Sequence, residues 1–195
     1  MTHYKIITFI SICFIFVGCS FLFSPYTIVE DEFKHSKTQT LEQNLYPVDR
    51  FSVVTNANVT YERVISDTKE SVNLYFVIAR NSNSFKIDNK AFMKADGKSY
   101  EISYQNIGTE YKTHQESNTT STTTKDSTKV KTEYKTEVKN YDWYDDKFIV
   151  QLTPEMVNSM LKTDEILFRF YFGPKQVTFK ITGYSLRRVQ KLFAN

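Results

Sequence analysis

Cysteine is nearly absent. The 195 residues hold two, Cys13 inside an apolar leader and Cys19 at its end, and none follows. A disulfide framework is thereby excluded, so an exported domain of this chain must be held together by core packing. Histidine is as scarce: His3 lies in the leader, while His35 and His114 stand far apart in polar sequence. No pair of histidines has helical ligand spacing and no thiolate cluster exists, which leaves a structural zinc site without ligands. Glycine (5) and proline (4) are few, which argues against collagen-like and Pro-rich architectures. The chain also lacks a Gly-rich phosphate loop, a G-x-S-x-G nucleophile elbow and an EF-hand loop. No sign of charge dominates, since 25 basic against 22 acidic residues give +3, and nucleic-acid binding normally needs a strongly basic face. The expectation is a protein with no cofactor, no metal and no nucleic-acid partner, and with no motif for catalysis.

What is present begins with the leader. A short start carrying Lys5 is followed by an apolar run over residues 6–17, broken only by Thr8 and Ser11. Its length suits the h-region of a signal peptide and falls short of the roughly 20 apolar residues a membrane span needs. The run ends in Phe16, Val17, Gly18 and Cys19, with Phe where Leu is usual. These four residues resemble the lipobox of bacterial lipoproteins; the resemblance covers the leader alone. It implies cleavage after residue 18 and lipid on Cys19, with acyl chains of the palmitate kind. At about 0.8 kcal/mol per buried CH₂, two or three such chains hold a protein at a membrane essentially permanently. The implied address is the cell envelope outside the cytoplasm, and the outer membrane if the cell has one. An uncleaved anchor over residues 6–23 is the alternative, with Lys5 on one flank and Glu30, Asp31 and Glu32 on the other. Both readings tether the remainder outside the cytoplasm, through a short segment at residues 19–25.

From residue 26 onward the dominant pattern has period two, the mark of half-buried strands. Val59, Tyr61, Arg63 and Ile65 alternate with Thr60, Glu62 and Val64, and Val72, Leu74, Phe76 and Ile78 line one face of the next run. Tyr75, Val77 and Ala79 line its other face, which predicts a central strand covered on both sides. Asp96-Gly97 between alternating runs is a strong hairpin signal, because a two-residue turn of that type needs positive φ. A second hairpin is predicted around Gly173-Pro174, between Phe168, Phe170 and Phe172 and the returning Val177, Phe179 and Ile181. Phe148, Val150 and Leu152 mark a further strand. Thr153 and Pro154 have the chemistry of a helix start, and Leu186, Val189 and Phe193 repeat at helical spacing. The predicted fold is mainly β (α+β at the margin): one domain over residues 26–195, an antiparallel two-layer sandwich with two short helices near the C-terminus. Residues 113–140 are rich in Thr, Ser, Lys and Glu and cannot fill a core. The pentapeptide TEYKT occurs on either side of their Ser/Thr centre, at residues 109–113 and 132–136. A protruding hairpin and an unstructured insertion are the two alternatives there.

One cluster stands out as a candidate ligand or partner surface. Tyr141, Trp143 and Tyr144 could stack on a sugar ring or a partner protein, and Asp142, Asp145 and Asp146 could accept hydroxyls or hold calcium. The plainer reading makes them the polar approach to the Phe148 strand, with Trp143 over the sheet edge. Function is therefore expected to be non-enzymatic: an anchored envelope lipoprotein with a binding or structural role, its partners the membrane and an envelope protein or glycan. The second expectation is an exported small-ligand or glycan-binding protein. An envelope hydrolase using His35 or His114 is the third.

Overall fold

The computed structural model describes residues 26–126 and 129–194; Cys19, the leader and the tether over residues 19–25 lie outside the described residues. The chain builds strands β1 (Tyr26–Asp31), β2 (Ser36–Leu45), β3 (Val54–Ser66), β4 (Glu70–Asn81), β5 (Ala91–Ala95) and β6 (Lys98–Ile102). Two long strands follow, β7 (Tyr104–Asp126) and β8 (Lys129–Leu152). Helix α1 (Pro154–Lys162), the hairpin β9 (Glu165–Phe172) with β10 (Lys175–Thr182), and helix α2 (Gly183–Ala194) complete it. One sheet has the order β1-β2-β3-β4-β8-β7 and the other β10-β9-β5-β6, and every pairing is antiparallel. This is the mainly β sandwich with two short C-terminal helices that the alternation predicts.

The core lies between the inner faces of the sheets and is largely aromatic. Phe76 on β4 meets Phe168 and Phe170 on β9 with ring centroids 5.4 and 5.3 Å apart, both edge-on, and stacks on Phe148 of β8 at 5.1 Å. Edge-on and offset rings gain about 0.5–1.5 kcal/mol per pair beyond the area they bury. The turns are those the sequence demands: Asp96 and Gly97 take φ of 50° and 71°, and Gly173 takes 57°. At Gly173 a β-carbon would also stand 2.7 Å from Phe85 Cγ, so both backbone and space require glycine.

The helices close the sandwich through side chains that satisfy backbone groups. Thr153 Oγ1 accepts from the Met156 amide at the start of α1. At its other end Gln190 of α2 donates to the carbonyls of Met160 and Thr163 at 3.1 and 2.8 Å. The Arg63 guanidinium, buried on β3, donates to the Leu192 carbonyl near the end of α2. Two features differ from expectation. Strand β4 is central, but its outer face is half-buried, and among the described residues no second layer of strands or helices lies over it. Strands β1 and β2, which the alternation did not mark, extend the larger sheet by two members. Residues 113–126 and 129–140 belong to the paired strands β7 and β8, whose ladder runs from Tyr104↔Val150 to Asp126↔Lys129. No helix among the described residues is long and apolar enough to cross a membrane.

Candidate functional site

Strand alternation divides the aromatic cluster. Even positions of β8 (Tyr144, Asp146, Phe148, Val150) share the inner face, and odd positions (Tyr141, Trp143, Asp145) the outer one. Tyr141 and Trp143 therefore stand together on the outer face. Tyr144 stands on the other, where the Arg80 guanidinium lies 4.4 Å from its ring and Tyr111 5.2 Å away. The three aspartates part in the same way: Asp142 and Asp146 point inward and Asp145 outward. Asp146 forms a buried ion pair with Arg80 at 2.5 Å and accepts from Thr109 Oγ1 at 2.7 Å, closing the end of the core. Among the described residues no three His, Cys, Asp or Glu side chains gather to hold a metal ion.

On the outer face, Tyr141 and Trp143 wall a groove of about 750 Å³. Its floor is laid by register. One rank across the sheet is Asn44, Asn58 and Val77; the next is Asn56, Ala79 and Asp145; the last is Asn81 opposite Trp143. The hollow has two local causes. Ala79 is small where its neighbours are long. A β-bulge places Thr55 as an extra residue between Val54, which stays buried, and Asn56, which faces the groove. Bulges bend and re-aim a strand in this way, and they are frequent beside functional sites.

The groove is polar without being charged throughout. Trp143 Nε1 donates to Asp145 Oδ1 at 2.9 Å, which fixes the indole against its own strand. Asn58 Nδ2 donates to Asn44 Oδ1 at 3.2 Å, which leaves the Asn44 amide nitrogen to donate and the Asn58 carbonyl to accept. Beside the groove Lys147, and Lys112 opposite Trp143 on β7, both reach Glu110, at 2.7 and 2.5 Å. Those two hydrogen bonds pull the Glu110 carboxyl from an ordinary 4.5 down to about 2. At the foot of β7, burial pushes the Tyr104 phenol up to about 12, and its hydroxyl donates to the Asp88 carbonyl.

Of the residues singled out from sequence, Tyr141 and Trp143 meet in the groove and Tyr144 does not. His35 lies in the β1–β2 turn at positive φ, at one edge of the sheet. His114 lies on β7 at the other edge, with Nε2 3.7 Å from Glu116. The asparagines were missed because they come from three strands far apart in sequence. Asn56 and Asn58 were the available signal, since Asn is depleted in strands and these two share one face. Arg169, the lone cation among the Phe and Tyr of β9, is exposed and donates to Thr178 at 3.1 Å. Comparison of the chain with protein-family models, with curated proteins and with solved structures finds no match in any of the three.

Proposed function

We propose that this chain is a lipid-anchored lipoprotein of a bacterial cell envelope whose sandwich binds a partner in the groove beside Trp143 and does not transform it. The anchor rests on the leader, with its short apolar run ending in Phe16, Val17, Gly18 and Cys19. Residues 19–25 can reach at most about 25 Å when extended, so the domain works near the membrane that holds it.

The observation that carries binding is the make-up of the groove: a fixed indole, a small floor and neutral amides. Glycoside cleavage uses two carboxyl groups flanking the bond. Among the described residues two aspartates line the groove, but Asp145 already accepts from Trp143 Nε1 and the Asp142 carboxyl is hydrogen-bonded to Tyr111. Nucleophilic catalysis uses a nucleophile and a base within hydrogen-bond reach. His114 instead faces Glu116. Orienting a ligand needs neither arrangement.

The test of the anchor is Cys19→Ala in cells fed a clickable fatty acid. The wild-type chain should take up label and fractionate with membranes, whereas the variant should lose the label and leave the membrane fraction. Undiminished labelling of the variant overturns the lipoprotein reading.

A further inference from the structure

We infer that the groove takes a neutral glycan chain, an inference that rests on the binding reading above and names its ligand class. A pyranose offers a face of C–H groups and a rim of hydroxyls that both donate and accept. An indole face suits the first, being broad, apolar and rigid. Trp143 is half-buried and its N–H is committed to Asp145, so the ring is held before any ligand arrives. Tyr141, two residues along on the same face, adds a second ring with a polar tip.

Carboxamides suit the hydroxyl rim. Each both donates and accepts, and each sheds water at far lower cost than a charge does. Asn44, Asn56, Asn58 and Asn81 supply four such groups along the floor and far side. Hydroxyls of either polarity can therefore be matched without strict register.

Charge selects against anionic sugars. Among the described residues the groove is lined by two aspartates, Asp142 and Asp145, and by no Lys or Arg, and the flanking Lys112 and Lys147 both reach Glu110. A uronic acid or sulfate would meet these carboxylates with no basic residue in the groove's described lining to offset them. Asp145 is thus a positioning residue that also sets selectivity. The groove's volume leaves room for more than one ring, and its length along Trp143 and Tyr141 favours a chain over a monosaccharide.

Trp143 is the sole tryptophan, so its emission reports on this groove alone. The experiment titrates the full-length lipoprotein, in a detergent without a sugar headgroup, with short neutral oligosaccharides of hexose and of N-acetylhexosamine. Uronic-acid and sulfated oligosaccharides form the comparison set. At least one neutral chain should give a saturable emission change, with the anionic set binding at least about tenfold more weakly. Tyr141→Ala should weaken binding about tenfold and Asn58→Ala about three- to tenfold, the size of one ring contact and one hydrogen bond. Trp143→Ala, followed by calorimetry, should lose binding while its melting temperature stays that of wild type.

The inference is overturned if no neutral oligosaccharide changes the emission, if anionic chains bind as well, or if Trp143→Ala leaves the calorimetric Kd unchanged. Retention of solubilised envelope material on the immobilised full-length protein separates the two readings. Should no glycan bind, yet wild type retain a protease-sensitive component that Trp143→Ala does not, the glycan inference falls and the binding reading stands. If neither is retained, both fall.

Discussion

Arg80 and Asp146 sit where the sandwich ends and the long ribbon begins, each with a side chain 3% exposed. Such a pair gains little net stability over an apolar pair of the same shape, but halving it strands a buried charge. Asp146→Ala is expected to cost about 3–5 kcal/mol in chemical denaturation, because Arg80 would keep Tyr144 and the Ser84 carbonyl but no counter-ion. A loss below about 1 kcal/mol would mean that water reaches the guanidinium. Glu110 sets a different kind of prediction. Its carboxyl is depressed to about 2 because Lys112 and Lys147 donate to it, so the folded state favours the ionised form. Its contribution is therefore full above the ordinary value of 4.5 and is lost as pH falls through about 2. Glu110→Gln should narrow the gap between stability at pH 5 and at pH 2, as read by denaturation at each pH, and NMR titration of wild-type Glu110 should find its midpoint near 2. A midpoint near 4.5 would show that both lysines leave it in solution.

The ribbon is the element that departs furthest from a compact sandwich. Beyond the last β4 pairing, Asn81↔Trp143, strands β7 and β8 continue for fourteen paired positions, or about 45 Å at strand rise. Its two faces differ. Thr113, Gln115, Ser117 and Thr119 with Asn140, Val138 and Thr136 continue the inner face without a Lys or Glu, whereas Lys112, His114 and Glu116 with Lys139, Glu137 and Lys135 continue the outer one. The two TEYKT copies do not pair with each other: residues 109–113 face 142–146, and residues 132–136 face 119–123. A two-stranded ribbon is marginal by itself, so its distal part adds little to the fold. Replacing residues 118–137 by a two-residue Asn-Gly turn keeps Ser117 opposite Val138 and should shift unfolding by no more than about 0.5 kcal/mol. A loss of several kcal/mol would show that the tip packs on something. Elements with clean alternation or explicit turn chemistry, such as β4, the Asp96-Gly97 hairpin and α1, were legible in the sequence. Strand β2 was not, because Gln43 occupies an inward position between Leu41 and Leu45 and is tolerated there by donating to the Ser185 carbonyl at the start of α2. Half of the candidate site was legible for the same reason: Tyr141 and Trp143 announce themselves as a cluster. Their asparagine partners depend on strand register, which no local pattern states.

At the scale of the molecule, one strand joins core, groove and ribbon. From Phe148 to Leu152 strand β8 is core, with Phe148 and Val150 buried against β4 and β9; at Trp143 it walls the groove; before Tyr141 it is ribbon. The outer-face groove therefore has no foundation of its own. Its floor residues are the outward-pointing neighbours of Ala57, Ile78 and Asp146, which are all buried. Opening the core must then release the groove, and the sandwich should unfold in one transition. Trp143 emission and the β signal in circular dichroism should follow the same denaturant curve, with matching midpoint and slope. Phe76→Ala, which removes the ring at the centre of the inter-sheet cluster, should move both curves together by about 3–5 kcal/mol although Phe76 faces away from Trp143. If the emission curve instead moved ahead of the other, the ribbon and groove would be a separate and weaker unit. The indole would then owe its position to ligand, and a preformed site would be ruled out.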